Sequence, residues 1–334
     1  MAPAGWCGSM TDSSAVVVTH LGGERLVRCV AALQSQAPAL AEILVVVSNP
    51  GDVDLPELPG ATVLRPGRAL HYGEAVNIGA RAAVGDVLLV LNDDTVARDG
   101  FAATLMQAHA ERPGALLQPL ILLAGRAGMV DNAGHGLFYD GHNQALGRCR
   151  PDGPAYEQGR GVGAVSGAAF LAPRARFLEL GGFDISLGPF GEDLDLSLRW
   201  VRSGGVLRFV PGAVIEHELG ASYGRAGLRK VYWVERNRVR AGLRSLPVAV
   251  LLGAPAFTAL RWGLMAGAAA VGAGWGEQLP RGASLAAVAG AVAGLGRLPR
   301  AVAKRRADAA GWQRGERAML EHLLRNRARI ADFL

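Results

Sequence analysis

Five consecutive apolar residues, Val87 to Leu91, run directly into Asn92-Asp93-Asp94. A short run that is apolar at every position reads as a strand buried on both faces, which is the strand type of a helix-covered sheet. The same theme precedes it. Ala15 to Thr19 reads as a strand, Glu24 to Gln36 as a helix with Leu26, Val30 and Leu33 on one face, and Ile43 to Val47 as a second buried strand. After a Pro/Gly-rich loop from Asn49 to Gly60 come a short strand at Thr62 to Leu64 and a helix from Gly73 to Ala83. Strands alternating with helices imply an α/β fold with a doubly wound sheet. Ligands of such sheets gather at the carboxyl ends of the strands. Two carboxylates at such an end must be paired or must hold a cation, and a hard divalent ion such as Mg²⁺ completes its shell with water and substrate phosphate oxygens. That points to a nucleoside-diphosphate substrate. The competing reading is that the acids merely open a turn, Thr95 to Gly100, into a helix at Phe101 to Glu111.

Leu116 to Gly163 breaks into short apolar runs between glycines and reads as meandering strands and loops; Asp131, His135 and His142 are expected in a surface loop, with the lining of an acceptor pocket as the alternative. Ala164 to Leu171 reads as a strand and Arg174 to Leu180 as a helix. A second acidic constellation follows: Gly181-Gly182-Phe183-Asp184 leads through Gly188-Pro189-Phe190-Gly191 to Glu192-Asp193-Leu194-Asp195, where a helix to Arg202 begins. Backbone N–H groups and the helix dipole hold a carboxylate there ionised and fixed in direction, as a general base requires. Capping alone accounts for one acid, less well for three within four residues. Strand pieces at Val206 to Val210 and Val214-Ile215 then deliver His217, followed by Gly220 and Ser222. Two look-alikes are set aside. Asp52-Val53-Asp54 sits in a Pro-rich loop, and Gly161-Val162-Gly163 with Gly167 misses the dinucleotide fingerprint.

The 334-residue chain carries a formal charge of +6, with arginines concentrated from Arg225 to Arg244 and from Arg297 to Arg317. Basic rims beside apolar stretches suit an anionic membrane surface better than nucleic acid, for which no aromatic-interleaved basic strand or recognition helix is present. Cys7, Cys29 and Cys149 lack disulfide or metal-ligand spacing. Residues 1–14 read as a loose leader. Leu246 to Trp275 is apolar except for Arg261, and a second apolar run covers Ala283 to Leu295. A spanning helix needs about 20 apolar residues, and Arg261 at mid-bilayer costs about 2.5–3.5 kcal/mol on insertion scales. An in-plane pair of helices or a re-entrant hairpin on the cytoplasmic face of the membrane fits better, and a soluble helical subdomain is the alternative. Removal of everything after Arg244 is expected to leave a more soluble, donor-binding domain.

These blocks, in this order, resemble the inverting, metal-dependent family 2 glycosyltransferases. The blocks are Val17-Val18-Thr19, then Gly73, Asn77 and Gly79, then Asn92-Asp93-Asp94, Ser166-Gly167-Ala168, Gly-Gly-Phe-Asp from Gly181, Glu192-Asp193, and His217 with Gly220 and Ser222. The resemblance implies a GT-A domain with a mixed, Rossmann-like sheet over residues 15–244, followed by a helical, membrane-associated region over 245–334. It implies Asp94 and His217 as ligands of Mg²⁺ or Mn²⁺, Asp193 as the base with Glu192 second, and Thr19, Ser48, Asn77, Asn92 and Asp93 on the donor. Ser48-Asn49 stands where the family usually has Asp-Asn, and the metal motif opens with Asn92 rather than Asp. The implied activity is transfer of a sugar, rhamnose first, from a nucleoside-diphosphate sugar to a glycan or polyprenyl-linked acceptor of the cell envelope. A nucleotidyltransferase or a silent nucleotide-sugar-binding membrane scaffold would share the sheet.

Overall fold

A computed structural model describes residues 13–51, 53, 55–218, 227–270, 280, 282–329 and 332. Residues 1–12 of the expected leader, Asp52, Asp54, Gly220 and Ser222 lie outside these. The first strand, β1 (Ser13–Thr19), starts two residues ahead of the expected Ala15. There follow α1 (Glu24–Gln34), β2 (Glu42–Val47), β3 (Thr62–Leu64), α2 (Tyr72–Ala82) and β4 (Val87–Asn92). Next come β5 (Thr95–Ala97), α3 (Phe101–Glu111), β6 (Ala115–Leu123), β7 (Val130–Asn132), β8 (His135–Leu137), β9 (Asn143–Ala145) and β10 (Arg160–Gly161). The chain then forms β11 (Ala169–Pro173), α4 (Arg174–Glu179), α5 (Glu192–Arg202) and β12 (Val206–His217).

The main sheet runs β10-β12-β6-β11-β4-β1-β2-β3, with β5 on β12 and β7 on β6. It is mixed, as the resemblance implied. β1, β2, β3 and β4 are mutually parallel, β6 and β12 are parallel, and β11 runs antiparallel between β4 and β6. Alternate residues of each strand feed opposite layers. Val16, Val18 and Val46 pack against α2, α4 and α5, whereas Ala15, Val17 and Val45 pack against α1 and α3. Each fully buried valine or leucine contributes about 1.5–3 kcal/mol, so both faces must be covered for the strands to hold. Two expectations are corrected. The segment taken for a turn after Asp94 contains β5, and the two strand pieces before His217 are one strand with a register irregularity between Val210 and Val214.

Among the described residues after β12, five helices follow: α6 (Leu228–Ser245), α7 (Val248–Ala270), α8 (Ala283–Leu295), α9 (Leu298–Ala309) and α10 (Glu316–Arg325). Val248–Gly267 is long and apolar enough to cross a membrane, and little of it is covered by protein, unlike the core helix of a soluble domain. Helices α8 and α9 form a bent pair, at 59°. Small residues let α8 press on α6: a Cβ at Gly290 would meet the Tyr232 carbonyl at 2.3 Å, and one at Gly294 the Arg236 carbonyl at 2.8 Å.

This region is tied to residues 15–244 by buried ion pairs, a cation–π contact and backbone hydrogen bonds. Arg261 is turned inward, 1% exposed, and pairs with Asp140 at 2.9 Å and Glu235 at 2.7 Å. Buried Arg202 of α5 donates to Glu316 at 2.8 Å and lies 4.1 Å over the Trp312 ring. Backbone bonds link Leu137 of β8 to Asn326 and Ala328 at 2.8 and 2.9 Å.

Candidate active site

Parallel pairing of β1 with β4 sets Val18 opposite Asn92, so Thr19 and Asp93 emerge together at the carboxyl edge. Thr19 Oγ1 donates to Asp93 Oδ2 at 2.5 Å. Ser48, at the end of β2, donates from Oγ to the Thr19 carbonyl at 3.0 Å. Burial, with Asp94 adding to it and Thr19 opposing, raises the Asp93 carboxyl above its usual range. Asn92 is half-buried, and its backbone N–H donates to the Ala168 carbonyl at 3.0 Å.

Sheet register brings Asp94 to His217. β5 folds back antiparallel on β12 with Thr95 opposite His217, and the Glu218 N–H donates to the Asp94 carbonyl at 2.9 Å. His217 Nε2 lies 3.3 Å from Asp94 Oδ1, and Nδ1 donates to Asp131 Oδ2 at 2.8 Å. Burial works against a charged imidazole here, but the Asp131 and Asp94 carboxylates outweigh it and push His217 up to about 9. Asp94 Oδ1 is shut off from water and has no other hydrogen-bond partner among the described residues.

The Asp94 carboxylate oxygen and the imidazole nitrogen beside it would suit a divalent ion, whose binding would displace the imidazole proton between them. Neighbouring corners of an octahedron with bonds near 2.1 Å stand about 3 Å apart. The Asp131 contact is the kind that orients a ligating histidine. Among the described residues the two are a pair rather than a cluster of three or more, so water and substrate oxygens would fill the other positions.

The second constellation arrives from the other side of β4. The turn before α5 uses Gly191 at φ 80°, a left-handed conformation, and a Cβ there would sit 2.9 Å from Asn237 Cβ. Asp193 Oδ1 accepts the Leu194 N–H at 2.7 Å and Oδ2 the Gly167 N–H at 3.2 Å. The Gly167-Ala168 turn therefore touches both the base candidate and, through Asn92, the acidic tip of β4. Tyr72 donates to the Gly167 carbonyl at 2.5 Å. Burial, then Glu192, Asp193, Asp94 and Asp93, all raise its hydroxyl, so the four acids surround one ring. Burial, then neighbouring Asp193, pushes Glu192 up to about 8. At neutral pH Glu192 keeps its proton.

A cavity of about 250 Å³ joins the halves, lined among others by Asp131, His135, Ser166, Phe190, Asp193 and His217. Asp131 and His135 are buried at its wall, not in a surface loop, because β7 and β8 pack them under the sheet edge. Tyr72, and Arg148 of the cavity wall, 3.9 Å from Asp131, escaped the sequence reading, and neither lies in a motif that would have marked it. Asn77 is a correction of the opposite kind. Its amide accepts the Phe183 N–H at 2.9 Å and donates to the Phe183 carbonyl at 2.8 Å, so buried Asn77 clamps the Gly-Gly-Phe-Asp turn from within the fold.

Residues 14–124 match the model of glycosyl transferase family 2. The chain is 31% identical over 245 residues to the N-acetylglucosaminyl-diphospho-decaprenol L-rhamnosyltransferase of Mycobacterium tuberculosis, an alignment covering 65% of this chain and 79% of that enzyme. The chain is a family 2 glycosyltransferase. A solved structure of GalNAc-T7 with UDP, GalNAc and Mn²⁺ superposes with a TM-score of 0.56 at 22% identity, covering 70% of this glycosyltransferase and 47% of that chain. A mannosyltransferase from Pyrobaculum calidifontis in complex with GDP-Man and Mn²⁺ gives a TM-score of 0.52 at 15% identity over 95% of this chain and 88% of the other. At these identities the two structures establish the shared GT-A fold.

Proposed function

We propose that this glycosyltransferase moves a sugar, rhamnose first among candidates, from a nucleoside diphosphate to a polyprenyl-diphosphate-linked acceptor with inversion. The observation that carries the reading is one cavity walled by Asp193 on one side and by His217, 3.3 Å from Asp94 Oδ1, on the other. Asp94 and His217 would hold a divalent ion, which when bound neutralises charge on the leaving diphosphate. Thr19 fixes Asp93 against the donor edge, with Ser48 behind it and Asn92 closing β4. Asp193 takes the proton of the acceptor hydroxyl as that oxygen attacks the anomeric carbon and the carbon–oxygen bond to the diphosphate breaks. Its orientation by two backbone N–H groups suits that role, and proton-bearing Glu192 does not compete for it. Similarity to an enzyme whose name states a diphospho-decaprenol acceptor supports the lipid-linked acceptor, as do the apolar α7 and α8. The basic flanks of the apolar helices support work at the cytoplasmic face of the membrane, and a cell-envelope polysaccharide is the product this reading assigns.

The test is incubation of the full chain with a panel of nucleoside-diphosphate sugars, Mn²⁺ or Mg²⁺ and a polyprenyl-diphosphate-linked sugar. Release of nucleoside diphosphate with an inverted glycosidic product is expected, greatest with a rhamnose donor. Transfer that is equal in EDTA, or a retained anomeric configuration, would defeat the mechanism.

A further inference from the structure

We infer that Arg236, Arg240 and Arg297 form a binding site for the diphosphate of an amphiphilic, lipid-linked acceptor. The inference rests on the acceptor class proposed above and assigns the residues that capture it. Five arginines of the described chain are buried, and four have carboxylate partners: Arg199 with Asp195, Arg202 with Glu316, Arg238 with Glu235, and Arg261 with Asp140. Arg236 is the exception. Its guanidinium lies 3.8 Å over the Trp233 ring and donates only to neutral oxygens, Asn237 Oδ1 at 2.9 Å and the Leu187 carbonyl. One turn on, Arg240 carries a buried Nε with no hydrogen-bond partner. Arg297 is exposed just beyond α8, shortly after Gly294, where α8 presses on the Arg236 carbonyl and the Val239 side chain. None of the three forms an ion pair among the described residues. Asp184, the carboxylate that Arg240 senses, is already committed to Arg244 at 3.1 Å and to Lys304.

Three like charges gathered without a counter-charge repel one another, and a polyanion relieves that repulsion. Two features select the kind of anion. Along α8, Leu285, Val288, Val292 and Leu295 stand 77%, 62%, 63% and 52% exposed, an apolar track that ends at Arg297. An apolar chain with a diphosphate at its end matches that layout; a free diphosphate matches only its last part. The second feature is location. Asn237, next to Arg236, donates to the Leu187, Pro189 and Phe190 carbonyls at 3.1, 2.9 and 2.6 Å. The loop held this way runs straight into Gly191 and Asp193, and Phe190 lines the cavity of Asp193. A head group bound at Arg236 is therefore one loop away from the cavity that holds the base.

Calorimetric titration with farnesyl diphosphate, inorganic diphosphate and farnesol tests the site without turnover. It is run in EDTA and in the Asp94→Ala background, so that the nucleotide's own diphosphate position does not contribute. Farnesyl diphosphate is expected to bind more tightly than either of the others, with affinity falling as salt rises. Arg240→Gln/Arg297→Gln should weaken it roughly 10- to 30-fold, the loss expected from removing two charged contacts. Arg297→Glu, at an exposed position that leaves the packing untouched, should weaken it as well. Unchanged affinity in both variants overturns the site, and so does farnesol binding equal to farnesyl diphosphate. Inorganic diphosphate binding as tightly as the lipid overturns the assignment to a lipid-linked ligand. Because only binding is read, a chain that fails to transfer sugar leaves this test intact.

Discussion

Asp193 and Glu192 are neighbours with opposite assignments, and the difference is desolvation. Asp193 is anchored through both oxygens by backbone N–H groups, while Glu192 has a buried Oε2 with no partner. Asp193→Asn is expected to lower kcat by about 10²–10⁴-fold with donor affinity kept, since basicity is lost and shape is not. Single-turnover kinetics beside donor titration separates the two effects. Glu192 gives a pH signature. Its folded-state pKa, about 8, lies above the ordinary 4.5, so between those values the folded chain keeps a proton that the unfolded chain has released. Stability must therefore fall as pH rises through that window and level off above it. Thermal melts from pH 5 to 9 should show this fall in the wild type and a shallower one in Glu192→Gln; parallel curves would return Glu192 to an ordinary carboxyl. Asp131 acts one contact away from the proposed ion. Asp131→Asn should weaken Mn²⁺-dependent donor binding by about 10–100-fold, the usual cost of losing the partner that orients a ligating histidine. Titration of a nucleoside diphosphate at varied Mn²⁺ measures it.

At the scale of elements, the site depends on a clamp between α6 and the turn that opens α5. Asn237 is fully buried and holds three consecutive-loop carbonyls with one amide. Asn237→Ala takes the side-chain donor from the Pro189 and Phe190 carbonyls, while Leu187 keeps Arg236, at a cost of about 1–3 kcal/mol. It also frees the turn that aims Asp193, and a displacement of 1 Å can reduce rate by about 10²-fold. The expected pattern is a lower melting temperature together with a fall in kcat, while nucleotide affinity, which belongs to the β1–β4 edge, stays near wild type. A loss of nucleotide affinity equal to the loss in kcat would mean that the clamp supports the whole sheet and not the base.

For the whole molecule, the buried ion cluster decides how the C-terminal helices relate to the rest. Arg261 joins α7 to Glu235 on α6 and to Asp140 after β8, and Arg238 completes the group from α6. Removing one member leaves buried carboxylates without a counter-charge. Arg261→Met should therefore destabilise the fold by about 3–5 kcal/mol even though methionine would suit a bilayer better. Chemical denaturation with and without lipid reads it. A variant as stable as wild type would show that α7 does not depend on that latch. Ending the chain after Arg244 strips partners from Arg202, Asp140 and Glu235 together, so insoluble protein is the expected product rather than a smaller soluble domain. Arg261 is thus covered by protein and paired, not presented on the outer side of α7. It turns the polar face of α7 toward protein and leaves Leu252, at 79% exposure, on the other side.

Local pattern alone determined the alternating strands and helices of the first hundred residues, the acidic tip of β4, the helix from Glu192 to Arg202 and the apolar C-terminal runs. Those features follow from hydrophobic period, strand length and glycine placement, all of which act over a few residues. Tertiary structure decided what depends on distant pairing. The antiparallel return of β5 onto β12 brought His217 to Asp94, and β7 under β6 brought in Asp131. Asn77 shows the reverse: its place in a motif suggested a ligand contact, but packing of α2 against the Phe183 turn used both ends of its amide. Arg261 read as a liability in an apolar helix because its partners, Asp140 and Glu235, lie 121 and 26 residues away in the chain. Whether a charge is a cost or a latch depends on what the fold places opposite it, and no local pattern carries that information.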